Sequence, residues 1–366
     1  MTMPARIRVL ALSPIPEEGA GCRVRVSQYV PYLASQGIDV TVSPFFTPEF
    51  FKFVYKPGHF VRKVAAVLRL LVRRLGVLRE LGQYDLVWLY REAIPVGPPW
   101  LERAIARRGL PIVYDFDDAI FLPAVSDANR AILFLKDTHR PAKIIGISRH
   151  VVVGNDFLGD FARRHNPAVT TLPSVVDTTY FVPRTDVRSG DRLVVGWIGS
   201  PTTYSYLESL AGVLRDVHVR HPFTLKVGGA GRAVHLEGLD VAEVQWSLPH
   251  EVSLFNTCDI GVYPLTDDDW ARGKCGYKAI QFMACGVPVV AAAVGVNREI
   301  IRDGENGFLA STPEEWRTKL ERLLVDPELR HRFAREGRRT IEERYSLRVT
   351  APRLASIMHA AVREPS

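Results

Sequence analysis

Cysteine is scarce in this chain, and no two cysteines are paired by spacing. The four (Cys22, Cys258, Cys275, Cys285) are scattered through 366 residues without a C-x-x-C. That argues against a disulfide framework or a zinc site and fits a reducing cytosol. Long apolar runs are missing too: none approaches the roughly 18–20 residues that span a bilayer. The start shows no signal peptide, since Ile7 to Leu12 is short, carries Arg8 and reads as a strand. Low-complexity tracts are absent, and so are repeats beyond two α/β halves. No nucleic-acid module is recognisable, which sets nucleic acid aside as a partner. Gly19-Ala20-Gly21 is an incomplete glycine fingerprint, which weighs against a hydride-transfer enzyme.

Acidic residues are nearly absent from one segment, Lys52 to Leu81. Lys52, Lys56, Arg62, Lys63, Arg69, Arg73, Arg74 and Arg79 stand there against Glu80 alone, an excess as large as the whole chain's net charge of +7. From Phe60 onward the segment is amphipathic. Val61, Val64, Leu68, Leu71, Leu75 and Leu78 fall on one face and Arg62, Arg69 and Arg73 opposite. A basic amphipathic helix can lie on an anionic membrane surface through residues 60–81. It can equally pack its apolar face on the core and leave a solvated basic back.

What is present describes a globular α/β protein. Apolar residues make up 47% and charged residues 24%, and the length suits two domains of about 150–200 residues. Strands are expected at Arg8 to Leu12, Ile38 to Val42, Asp85 to Tyr90, Ile112 to Tyr114 and Lys143 to Ile147, with a helix from His150 to His165. Gly19, Gly21 and Arg23 follow the first strand, where backbone can approach a phosphate or an acceptor; a flexible turn is the plainer reading. Asp115 to Asp118 follows another strand end, where doubly wound sheets hold ligands. Asp117 or Asp118 can orient or deprotonate an acceptor hydroxyl, or cap a helix and pair with a base. Asp-x-Asp also occurs as a metal signature, but no metal is expected here or at Asp267 to Asp269.

The second half opens with Leu193 to Ile198, followed by Gly199, Ser200, Pro201, Thr202 and Thr203 before a helix from about Ser205 to His218. Its most informative stretch is Asp267 to Ala293. A charged loop to Lys274 leads to a helix from Gly276 to Cys285, with Ile280, Met283 and Ala284 in helical spacing; Gly286 and Pro288 end it, and a buried-strand run follows. A basic, glycine-bearing loop at a helix N-terminus can hold anionic oxygens, because the first turn has unpaired N–H groups and a positive dipole end. Arg272, Lys274 and Lys278 add charge, and the reading is a diphosphate pocket; lysines facing solvent are the alternative.

M-A-C-G-V-P-V-V-A, then G-V-N-R-E-I from Gly295 to Ile300 and D-G-E-N-G-F-L from Asp303 to Leu309, resembles the C-terminal signature of the family-four retaining glycosyltransferases. Pro173-Ser174-Val175-Val176-Asp177 is similar to the segment that leads into that family's interdomain linker. The resemblance implies two Rossmann-like doubly wound parallel-sheet domains facing a central cleft, the GT-B type. It places an acceptor-side domain at 1–182, a nucleotide-sugar domain at 192–345, and a last helix at 346–366 that packs back on the first. The family's two donor-site glutamates would fall at Gly273 and Gln281. Gln281 can still bond a ribose, whereas Gly273 has no side chain to hold a sugar hydroxyl, so this chain looks like a divergent branch with basic residues in the loop. Glu299 can take a hydroxyl or serve as a first-turn helix acid. The arginine and lysine that grip the diphosphate in better-known members are replaced by Ser200, Thr202 and Thr203, which can donate neutral hydrogen bonds to it or simply cap the helix that follows. The charge would then come from Arg272, Lys274 and Lys278, with Gly276 and Tyr277 at the helix start. The resemblance implies transfer of a sugar, with retained configuration, from a nucleotide diphosphate sugar to a glycan, lipid-linked or small-molecule acceptor. It implies no further cofactor and a cytoplasmic site, peripheral at the inner membrane face if the basic helix binds there. An epimerase or phosphorylase on the same architecture, or a non-catalytic sugar-nucleotide-binding protein, are the alternatives.

Overall fold

The computed structural model describes residues 6–54, 58–123, 137–185 and 192–363. Lys56 and residues 186–191, between the two α/β halves, lie outside them. The chain divides into two compact units, Met1–Ser174 with Thr350–Ser366, and Val175–Val349.

The first unit is built on strands β1 (Ile7–Ser13), β2 (Ile38–Pro44), β3 (Leu86–Tyr90), β4 (Ile112–Phe116), β5 (His150–Val153) and β6 (Val169–Thr171). They form one sheet in the order β2-β1-β3-β4-β5-β6, with every pairing parallel. The central strands β3 and β4 are buried at every residue and apolar except for Asp115 in β4, because helices cover both faces of a parallel sheet. The last helix, Leu347–Arg363, contributes to this unit: Tyr29 and Thr350 share a hydrogen bond of 3.1 Å, and Arg353 donates to the Thr171 carbonyl at 3.1 Å.

The second unit has strands β7 (Val194–Ile198), β8 (Thr224–Gly228), β9 (Val241–Val244), β10 (Ile260–Tyr263), β11 (Val289–Ala292) and β12 (Phe308–Ala310). Their order is β12-β11-β10-β7-β8-β9, again parallel throughout. Trp197, Leu207, Leu214, Phe223, Val290, Trp316 and Phe333 are buried in one core between this sheet and its helices. The helix Pro313–Val325 starts where the sequence says it should. Thr312 accepts from the Glu315 N–H, Glu315 reaches back to the Thr312 N–H, and Pro313 needs no hydrogen-bond acceptor. The expected pair of doubly wound parallel sheets is therefore what the chain forms.

Several elements differ from expectation. Lys143 to Ile147 is not a strand but the end of the helix Arg140–Ile147, opened by Pro141 in its first turn. The strand is instead His150–Val153, a β-branched run. The following helix is only Asp156–Arg163, capped by Asn155, whose side chain accepts from the Leu158 N–H. Ser346, which sequence suggests as the N-cap of the last helix, instead donates its hydroxyl backward to the Glu342 carbonyl.

The helix Phe60–Glu80 forms where its period runs, and the structure bears on the two readings of its apolar face. Its buried residues are Leu70, Arg74 and Val77, while Val61, Val64, Leu68 and Leu75 from the expected core face are exposed. Arg74 turns inward because β1 and β2 end there with carbonyls to satisfy. It donates to the Ser13 and Ser43 carbonyls at 3.3 and 2.9 Å, and Arg73 donates to those of Pro44 and Phe45 at 2.7 and 2.8 Å.

Candidate functional site

In open parallel sheets, ligands sit beyond the carboxyl ends of the strands, where strand order reverses. In the second unit that reversal lies between β7 and β10, which are neighbours although β8 and β9 intervene in sequence. The two loops at this point are those picked out by sequence, Gly199–Thr203 after β7 and Asp267–Gly276 after β10. The Tyr206 side chain, in the first turn of the helix Tyr204–Arg220, joins them through a hydrogen bond to Thr266. Burial raises its phenol above the usual range, and the nearby Asp268 carboxylate adds to this.

Close packing fixes the first loop. A Cβ on Gly199 would lie 2.3 Å from the Trp197 ring, and one on Gly229 would lie 2.5 Å from the Gly199 carbonyl oxygen. The hydroxyls of Ser200, Thr202 and Thr203 bond among themselves. Ser200 Oγ is 2.9 Å from Thr202 Oγ1 and 3.2 Å from Thr203 Oγ1, and Thr203 Oγ1 accepts from the Ser200 N–H at 3.0 Å. No side chain caps the helix that follows. The three hydroxyls thus form a polar cluster at an open helix mouth.

In the second loop, Asp268 caps the short helix Asp269–Arg272 by accepting from the Ala271 N–H. Arg272 is tied to Asp267 at 2.9 Å and Asp269 at 3.2 Å, so its charge is already compensated by neighbouring carboxylates. Gly273 follows in helical conformation. Lys274 is half-buried, with Nζ 5.8 Å from the centre of the Trp270 ring. Gly276 stands at the mouth of the helix Tyr277–Ala284 with φ +65°. A Cβ there would come within 2.3 Å of Ile300 Cδ1, so a larger residue must both strain the backbone and displace Ile300. No side chain caps this helix either.

Lys278 and Gln281 are placed differently from expectation. Lys278 Nζ donates to Gln281 Oε1 at 2.8 Å, and Gln281 Nε2 donates to Glu251 Oε1 at 3.1 Å. Gln281 is fully buried and Glu251 nearly so. The amide expected to meet a ribose is therefore committed on both sides inside the unit and offers no surface to a ligand. The three residues form a chain from a buried carboxylate to a half-buried ammonium. Glu251 was not singled out by sequence, because an acid in the first turn of a helix is ordinary. Asn297 was missed as well. It is 1% exposed, its Nδ2 donates to the Ala292 carbonyl, and its Oδ1 has no partner among the described residues. That oxygen lies 3.2 Å from where a Gly276 Cβ would stand. Glu299 is exposed in the short helix Asn297–Ile300, whose Ile300 packs against Gly276.

In the first unit strand order reverses between β1 and β3, and the remaining sequence candidates gather there. Gly19 and Gly21 sit at the start of the helix Ala20–Arg25. A Cβ on Gly21 would lie 2.3 Å from the Tyr90 hydroxyl oxygen, so this glycine admits the Tyr90 ring. Arg23 donates to the Glu17 carbonyl at 3.1 Å. Tyr90 Oη donates to Asp117 Oδ1 at 2.8 Å, Arg91 Nη2 donates to the same oxygen at 2.9 Å, and Arg91 also binds Asp118. Arg91 holds φ +57°, a left-handed conformation that costs a non-glycine residue on the order of 1 kcal/mol or more. Such strain at a strand end points to a functional site. Burial works against the Asp117 charge, yet Arg91 and then Arg25 hold its carboxyl below the usual range. A carboxylate held low is a poor proton acceptor, so Asp117 suits orienting a hydroxyl better than deprotonating it. Beneath this cluster, Arg25 and Asp115 form an ion pair of 2.9 Å with each side chain 1% exposed. Burial raises the Asp115 carboxyl to about 6 although Arg25 opposes it. Among the described residues no cluster of His, Cys, Asp and Glu is gathered for a metal ion.

Comparison with known proteins adds three findings. A family model described as Glycosyl transferases group 1 matches residues 232–340, the segment that contains the second loop. Relatives over nearly the full length include a D-inositol 3-phosphate glycosyltransferase of Saccharomonospora viridis, 28% identical and aligned over 98% of this chain and 95% of that one. Another of the same name, from Mycolicibacterium gilvum, is 29% identical over 89% and 84% of the two chains. Among solved structures, a sucrose-phosphate synthase from Thermosynechococcus elongatus superposes with a TM-score of 0.70 at 16% identity, covering 97% of this chain and 99% of that chain. The Anabaena protein HepE, solved with UDP and glucose, gives 0.70 at 15% identity, covering 97% and 100%.

Proposed function

We propose that this chain, a glycosyltransferase of the family-four type, moves a sugar from a nucleotide diphosphate sugar to an acceptor hydroxyl with retention of configuration. One observation carries the reading: the strand-order reversal between β7 and β10 sets the hydroxyl loop and the lysine loop side by side, each opening an uncapped helix. The donor's two phosphates lie across these mouths. Helix N–H groups, the Ser200, Thr202 and Thr203 hydroxyls and the Lys274 ammonium meet their oxygens. Lys278 is aimed by the Glu251–Gln281 chain, and Arg272 plays a lesser part because Asp267 and Asp269 already balance it.

In the reaction, the bond from the anomeric carbon to the β-phosphate oxygen breaks, and a bond to the acceptor oxygen forms on the same face. The departing nucleoside diphosphate takes the acceptor proton. Charge grows on the β-phosphate as the first bond breaks, and donors already aimed at it lower the barrier. In the first unit, Asp117 and Asp118, held by Arg91, orient the acceptor. The HepE complex makes a UDP-sugar the first donor to try, and the named relatives make an inositol phosphate the first acceptor. A position at an anionic membrane face is an independent proposal, supported by the basic excess of residues 52–81.

The test is release of nucleoside diphosphate from a panel of nucleotide sugars, with and without acceptor. Lys274→Ala and Lys278→Ala are each expected to lose at least about tenfold in turnover. Near wild-type rates in both would defeat the assignment.

A further inference from the structure

The helix Phe60–Glu80 turns a large part of its apolar surface outward. Phe60, Val61, Val64, Leu68, Val72 and Leu75 run along one stripe, and they are 77, 80, 42, 58, 70 and 40% exposed. From Val61 the spacing is i, i+3, i+7, i+11, i+14, which keeps the stripe straight for about 20 Å. The inward side carries Leu70 and Val77 with half-buried Ala66, Val67, Leu71 and Leu78 beside them, and Arg74 stands among these apolar residues. The fold thus buries an arginine and exposes valines and leucines on the same helix.

We propose that this stripe is a docking surface for an anionic lipid bilayer, with the helix lying flat at the interface. Charge selects the occupant. Arg62 and Arg69 each follow a stripe residue by one position, so they stand about 100° round the helix from Val61 and Leu68, while Arg73 in the same row is held by the Pro44 and Phe45 carbonyls. Arg79 stands near the end, and Glu80 is the helix's one acid. An aliphatic band beside a cationic row matches acyl chains below and phosphates at the level of the headgroups. Protein interfaces centre on tryptophan and tyrosine anchors, and the stripe has neither. No helix among the described residues is long and apolar enough to cross a membrane, so the contact is peripheral. The middle of the helix is anchored to the carboxyl ends of β1 and β2 through Arg73 and Arg74. Docking would therefore bring a bilayer to the sheet edge where ligands of this unit are expected, and a lipid-linked hydroxyl becomes the acceptor class. That last step rests on the transferase reading; the docking itself does not.

The experiment is flotation of the full chain with phosphatidylcholine vesicles, with and without phosphatidylglycerol. Wild type is expected to float with the anionic vesicles alone. L68D/V72D is expected to lose at least about tenfold in bound fraction, and R62E/R69E to lose the anionic preference. Both should keep the wild-type melting temperature and turnover of the nucleotide-sugar panel in free solution. Equal flotation of L68D/V72D and wild type overturns the proposal, as does failure of wild type to bind either vesicle. Loss of a wild-type dimer in L68D/V72D, seen by size-exclusion chromatography, also overturns it by assigning the stripe to a second copy. If vesicle binding fails while turnover persists, only the docking falls. If vesicles bind and no nucleotide sugar turns over with either soluble or lipid-linked acceptors, the transferase reading falls instead.

Discussion

Arg25 and Asp115 bury two full charges, and each depends on the other. Removing one partner of such a pair leaves an uncompensated charge in the interior, so Arg25→Met is expected to cost about 3–5 kcal/mol near neutral pH. The sign of its pH dependence follows from Asp115. The folded carboxyl sits at about 6, above its ordinary value, and without Arg25 it rises further. A carboxyl raised on folding destabilises fully above its folded value, and the penalty fades as pH falls toward the unfolded value. The gap between wild type and Arg25→Met in urea melts should therefore narrow from about pH 8 to about pH 5. A gap that widens would show that Asp115 is not the group left stranded. Gln281 is the second residue to test. It bridges Lys278 and Glu251 in the interior, and Gln281→Leu fills the same space without either hydrogen bond. A loss of about 1–3 kcal/mol is expected, whereas unchanged stability would mean that the bridge contributes nothing.

Among the elements, the helix Tyr277–Ala284 matters most, because its uncapped mouth is the proposed phosphate site. Gly276 sets that mouth with φ +65° and packs against Ile300. Gly276→Ala must adopt a strained backbone and displace Ile300, a cost of about 1–3 kcal/mol. It should also weaken stabilisation by UDP in a thermal-shift assay; wild-type stability together with a wild-type shift would contradict the geometry. The helix Phe60–Glu80 shows how far pattern reading reaches. Its amphipathic period is plain in the residues, and the helix forms where the period runs. Which side would turn inward was not legible, since the choice depends on the Ser13 and Ser43 carbonyls at two strand ends that need donors. The mistaken strand at Lys143 to Ile147 has a similar origin: a short apolar run fits strand or buried helix equally well, and Pro141 in the first turn decided for helix.

At the scale of the molecule, the two units should answer differently to ligand. A nucleoside diphosphate that binds at the β7–β10 reversal stabilises Val175–Val349 directly. At about 100 times its dissociation constant it adds roughly 2.7 kcal/mol. In calorimetry one part of the unfolding endotherm should move with UDP and the rest lag. Lys278→Ala should reduce the shift, while L68D/V72D leaves it intact; a uniform shift of the whole endotherm would argue against a site confined to one unit. The sequence alone determined the two α/β halves, most of their strands, and the glycine-and-lysine loop, because periodicity, turn residues and buried-strand runs are local signals. The tertiary structure alone decided that Asp117 and Asp118 share Arg91, that Gln281 is sealed between Lys278 and Glu251, and that an apolar stripe looks outward. Each is a choice of partner between residues far apart in the chain. Such choices follow from which buried polar groups meet when the strands line up, and no local pattern encodes that meeting.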